Sequence, residues 1–123
     1  MNIALWIIAG VLAALFLVAG LTKAAQPKRN LAANMAWVED FSDSTIKLIG
    51  VAEILGAVGL ILPAALDIAP ILTPLAASGL AVTMVLAAVV HARRQEYPMI
   101  AVNVVLFALT AFVAVMRFGP QAF

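Results

Sequence analysis

Cysteine is absent from this chain of 123 residues. That excludes disulfides, thiolate metal sites and thiol–disulfide exchange carried by the protein itself, so any redox role needs a bound cofactor or a partner. Charge is scarce: only 11% of residues are Asp, Glu, Lys or Arg, against about 25% in soluble domains. The net charge of +1 is too small to suggest a nucleic-acid partner. There is one histidine, and no paired ligand spacing supports a metal site. For a haem, a methionine such as Met84 is the sole obvious second axial ligand. No nucleophile–base arrangement is visible, and no catalytic group can be assigned.

What is present in excess is apolar sequence, 66% of the chain. A membrane-crossing helix needs about 20 mainly apolar residues. Segments 3–22, 45–66, 71–91 and 99–117 meet that need, and Glu53 is the one charge in their apolar interiors. Helices of a soluble protein would carry polar faces, which these lack. The expected fold is therefore all-α, an integral membrane four-helix bundle forming a single membrane domain over 1–123, solvated by the lipid bilayer. The first span reads as a retained helix rather than a cleaved signal, because its positive charges follow the apolar run instead of preceding it.

Basic residues predict orientation. Lys23, Lys28, Arg29 and Lys47 lie in or beside the connection between the first two spans, and Arg93 and Arg94 follow the third. The opposite side carries Arg117. The two basic connections are thus expected in the cytoplasm, with the N- and C-termini non-cytoplasmic.

Prolines and capping residues mark the boundaries. Pro27 stops the first helix. Segment 30–41 reads as a short amphipathic helix at the membrane surface, with Leu31, Met35 and Val38 on one face and Trp37 and Phe41 suited to the interface. Ser42, Asp43 and Ser44 supply helix-capping groups. Pro70, Pro74 and Pro98 fall near predicted ends, whereas Pro63 lies inside the last turns of the second span.

Glu53 is the most informative residue. It is expected about 11 Å inside its helix at 1.5 Å per residue, and a charge at the centre of a span costs about 2.5–3.5 kcal/mol even on a mild scale. It should face the bundle interior. Two readings stand side by side: a proton-handling or ligand-binding acid, and an inert polar clamp between helices. Lys23 and His91 close their helices on the same side of the membrane, and Asn103 lies about one turn into the fourth span. Lys23, Glu53, His91 and Asn103 are therefore the candidate lining of one polar pocket, with Asn103 able to donate to Glu53. Gly50, Gly56 and Gly59 read as helix-packing positions, where small side chains let a neighbouring helix approach closely.

Several of these residues carry a family resemblance. Val18-Ala-Gly20-Leu-Thr-Lys23 followed by Pro27-Lys28, then Lys47-Leu-Ile-Gly50-Val-Ala-Glu53-Ile-Leu-Gly56-Ala-Val-Gly59-Leu60, with His91 and Asn103 in order, resemble the DoxX-like family. The resemblance covers nearly the whole chain. It implies a small bacterial inner-membrane protein, multi-pass, and an accessory role beside a membrane redox system. A quinone would be the cofactor and a membrane or peripheral redox protein the partner. The family also includes members linked to oxidative-stress complexes, and distant relatives that assist membrane-protein assembly. Three readings stand: a quinone-linked accessory subunit, a non-enzymatic scaffold or assembly factor, and a small-solute transporter acting as a homo-oligomer.

Overall fold

The computed structural model describes residues 1–26, 29, 31, 35, 37 and 41–123. Among these, four helices and no strands are present: α1 (Asn2–Ala25), α2 (Asp43–Ala65), α3 (Leu72–Arg93) and α4 (Tyr97–Phe118). All four are long and apolar enough to cross a membrane. α1 and α4 extend beyond the expected segments at both ends, α2 gains two residues at its start and ends one earlier, and α3 starts one later and gains two at its end. Pro27 and most of the expected surface helix 30–41, Val38 included, lie outside the described residues.

The helices pack in chain order. α1 lies along α2 and α3 along α4, α2 and α3 share a smaller seam, and that between α1 and α4 is smaller still. Each helix buries a narrow stripe. On α2 it is Ile46, Gly50, Glu53, Ala57 and Leu60, a strict alternation of four and three residues. On α1 it is Leu5, Ala9, Leu12, Phe16 and Gly20. That spacing is the seam of helices crossing at a shallow angle. The apolar core joins Leu5, Leu12 and Phe16 to Leu60, Leu80 and Val113. No more than 28% of any span's most apolar window is buried inside the protein. Ile3, Val18, Leu48, Leu86 and Val115 point outward, and hydrocarbon is the solvent that such faces suit.

Two seams are set by glycine. A methyl on Gly20 would lie 2.6 Å from the Gly50 carbonyl oxygen, and one on Gly50 would lie 2.7 Å from the Gly20 carbonyl oxygen. The backbones of α1 and α2 therefore meet directly at this crossing. Gly56 and Gly59 face α3 instead, where added methyls would meet the Leu80 side chain at 2.6 Å and the Ala76 methyl at 2.8 Å.

Pro63 is tolerated inside α2 for a visible reason. Proline has no N–H, so the carbonyl four residues earlier, on Gly59, loses its helical partner. The Thr73 hydroxyl of α3 donates to that carbonyl at 3.2 Å and approaches the Leu60 carbonyl at 3.4 Å. Thr73 is only 1% exposed. A neighbouring hydroxyl has replaced the missing amide, as backbone satisfaction in lipid requires.

At the far end, Arg117 ties the weak α1–α4 seam. Its Nη1 donates to Asn2 Oδ1 at 2.7 Å and to the Gln121 carbonyl at 2.9 Å. The guanidinium stacks 3.9 Å from the Phe123 ring centre, with the Trp6 ring centre 6.0 Å away. These contacts fold the chain's last residues back onto the first turns of α1.

Candidate functional site

α1 and α2 run antiparallel through the Gly20–Gly50 crossing, so Lys23 stands opposite Gly50 and its side chain reaches back along α2 to Glu53. Lys23 Nζ donates to Glu53 Oε1 at 2.6 Å. The carboxylate belongs to the buried stripe of α2 and is 2% exposed as a residue. Glu53 stands ten residues beyond Asp43, about 15 Å along α2 at 1.5 Å per residue. It stands near the level of Gly20, close to the end of α1, because α2 starts further out than α1 ends.

The pair has a roof. The Trp37 ring centre lies 5.8 Å from Lys23 Nζ, within cation–π range. Trp37 packs edge-on against Phe41 at 5.8 Å between ring centres. Around them Leu31 and Ile46 form a second apolar cluster, bordered by Met35. Lys47 reaches the α1 terminus, donating to the Ala24 and Gln26 carbonyls at 3.4 and 3.3 Å. These are end carbonyls of a helix, where a cation is favourable. At the start of α2, Ser42 caps the helix by accepting from the Thr45 amide at 3.2 Å.

His91 and Asn103 are buried at the same end of the bundle but hold other partners. His91 Nδ1 lies 2.9 Å from Glu96 Oε1. The chain reversal after α3 creates that contact. Gln95 takes a left-handed φ of 58°, the Gln95 amide donates to the Ala92 carbonyl, and the Glu96 amide donates to the His91 carbonyl at 2.9 Å. This is a Schellman closure, and it brings the fifth residue after His91 back to its side chain. Arg94 Nε approaches the same Glu96 oxygen at 3.6 Å. Asn103 Nδ2 points to Met84 Sδ at 3.7 Å.

The four sequence candidates therefore form separate attachments. Lys23 and Glu53 join α1 to α2, His91 closes the α3–α4 turn, and Asn103 faces α3. The expected hydrogen bond from Asn103 to Glu53 is not formed, because the two side chains face different neighbours. Glu96 and Trp37 are the partners that sequence reasoning did not assign. A spacing of five is not a helical pairing distance, so the His91–Glu96 contact was invisible until the turn was known. Trp37 carried only an interfacial signal.

Chemically, the Lys23–Glu53 pair is a cation and an anion in direct contact, each supplying the opposite charge that the other's burial requires. Among the described residues no group of three or more His, Asp or Glu side chains is placed to hold a metal ion. A model of the DoxX-like family matches residues 7–113 of the chain. No curated protein and no solved structure matches it.

Proposed function

Since the chain belongs to the DoxX-like family and is a multi-pass membrane protein, we propose that it serves as an accessory subunit of a quinone-linked redox system in a bacterial inner membrane, with Lys23–Glu53 as its proton-holding centre. The observation that carries this reading is the 2.6 Å ion pair on a carboxylate that is 2% exposed. Well-packed apolar residues often match or exceed a buried ion pair in stability. Ionisable groups within a membrane span are functional sites by default for that reason. The quinone binds beside the pair, Glu53 exchanges a proton with it, Lys23 balances the carboxylate, and Trp37 limits the access of water. Orientation in this proposal follows the basic connections, which face the cytoplasm.

The test is the rate of quinone reduction by native membranes. Glu53→Gln and Lys23→Met should each lower that rate at least tenfold at equal protein level. Unchanged rates in both variants would contradict the proposal.

A second reading is favoured by a specific observation. Ala52, Gly56, Gly59, Ala76 and Gly79 line a groove of about 440 Å³ on the α2–α3 face. Small residues on a lipid-facing seam let another helix approach closely. On this reading the chain scaffolds a membrane partner. A Gly79→Leu variant that loses a co-purifying protein while retaining quinone reduction would favour it.

A further inference from the structure

Arg117 is 4% exposed in the last turn of α4. An arginine stays charged in proteins, so loss of its proton does not relieve the burial. None of the ion pairs among the described residues includes it. Asp67, the one acidic side chain at this end of the bundle, is exposed in the α2–α3 turn and forms no ion pair among the described residues. Both hydrogen bonds of the guanidinium come from Nη1, to Asn2 and to the Gln121 carbonyl, and both acceptors are uncharged. The Phe123 ring covers one face of the group. Nε and Nη2 hold no protein partner, and neither is sealed from the surface.

We infer that the Nε–Nη2 edge of Arg117 binds a phosphate group. On that edge two N–H bonds run parallel, and an oxyanion accepts both at once. Water can accept from the same N–H groups but brings no opposite charge, which a buried cation requires. Depth favours phosphate among the oxyanions. A helix of 22 residues is about 33 Å long at 1.5 Å per residue, slightly more than the roughly 30 Å of a hydrocarbon layer. Its last turn therefore stands where the phosphates of lipid headgroups lie. Trp6, 6.0 Å from the guanidinium, is a residue suited to that level. Ile3 and Val115, on the same terminal turns of α1 and α4, point outward and are apolar, as the acyl chains of such a lipid require. A phosphodiester headgroup and free inorganic phosphate present the same oxygens to the arginine. The inference stands apart from the redox role of Lys23 and Glu53, which lie at the other end of the bundle.

The full chain, freed of lipid in dodecylmaltoside micelles, provides the test, with dioctanoylphosphatidylglycerol, inorganic phosphate and dioctanoylglycerol as probes. At least one phosphate probe should bind saturably at one per chain. Tighter binding of the phospholipid identifies a headgroup as the source, and tighter binding of inorganic phosphate a free anion. In either case dioctanoylglycerol, which lacks the phosphate, should bind at least tenfold more weakly than the preferred probe. Arg117→Gln should weaken binding at least tenfold. Asn2→Asp leaves Arg117 in place and puts a carboxylate of nearly the same shape where Asn2 Oδ1 now accepts. It should also weaken phosphate binding at least tenfold, while its empty form unfolds at a higher temperature than the empty wild type, because the buried cation has gained an opposite charge. Absence of saturable binding by either phosphate probe, equal binding of dioctanoylglycerol and the preferred probe, or unchanged affinity in Asn2→Asp would overturn the inference.

Discussion

At the scale of single residues, the two ends of the Lys23–Glu53 bond depend on each other. Lys23→Met leaves a buried carboxylate without its cation, and Glu53→Gln leaves a part-buried ammonium without its anion. Breaking a buried pair costs about 3–5 kcal/mol. Replacing both partners removes both charges, so Lys23→Met with Glu53→Gln should be less destabilised than either single variant. Unfolding in mixed micelles around a double-mutant cycle measures this coupling, and additive effects would mean the pair is not formed. Thr73 poses a second residue-scale question. Thr73→Val removes the hydroxyl that serves the Gly59 and Leu60 carbonyls, at a cost of about 1–3 kcal/mol for buried groups left unpaired. Pro63→Ala restores the amide missing from α2, so it should recover part of that loss. Independent effects at the two positions would show that Thr73 does not compensate for Pro63.

Sequence reasoning reached Glu53 well. An acid in a span must face inward, and its stripe with Gly50 and Ala57 is the buried stripe of α2. Lys23 was legible as a nearby base on the same side of the membrane. The pairing itself needed the depth at which α1 meets α2, and that depth is fixed by backbone contact between Gly20 and Gly50, a tertiary fact. Asn103 was legible as a buried polar residue, but its rotation towards Met84 rather than Glu53 was not. Which neighbour a polar side chain faces depends on helix rotation within the bundle, and hydropathy with so few polar residues leaves that rotation nearly unmarked.

At the scale of elements, the glycines differ in what they can tolerate. An added methyl at Gly50 meets backbone atoms of α1, whereas one at Gly56 meets the end of the Leu80 side chain. Side chains rotate and backbones in packed helices do not, so Gly50→Ala should cost more than Gly56→Ala, by about 1–3 kcal/mol for overpacking of this kind. Gly50→Ala should also part Lys23 from Glu53 and reproduce the activity loss of Glu53→Gln. Equal unfolding midpoints for the two variants would contradict the crossing described here. The α3–α4 turn offers the opposite case. Gln95 holds a left-handed φ of 58° that glycine adopts without steric cost. Gln95→Gly should stabilise the protein by roughly 0.5–1 kcal/mol, read as a raised unfolding midpoint, while the His91–Glu96 contact is retained. The helix boundaries around this turn were legible from Pro98 and the basic run, but the left-handed residue was not, because glutamine gives no turn signal.

At the scale of the whole molecule, the four spans and their order follow from apolar length alone. Composition placed them without any knowledge of packing, since hydrocarbon solvates what a soluble protein would need to bury. Orientation is a separate matter and rests on basic residues. The absence of cysteine makes it simple to measure, because a single introduced thiol is unambiguous. Ala122→Cys should react with a membrane-impermeant maleimide in intact cells, and Arg29→Cys only after permeabilisation. The reverse pattern would invert the topology and place Lys23 and Glu53 at the outer face.

The redox reading requires that a small molecule depend on the Lys23–Glu53 pair, and extraction of the protein in native-lipid particles followed by mass spectrometry of what co-purifies measures that dependence most directly. A quinone present at one per chain in the wild type and lost in Glu53→Gln is the predicted result. A reproducible protein partner with no quinone in either sample would contradict it and leave the pair as a clamp between α1 and α2.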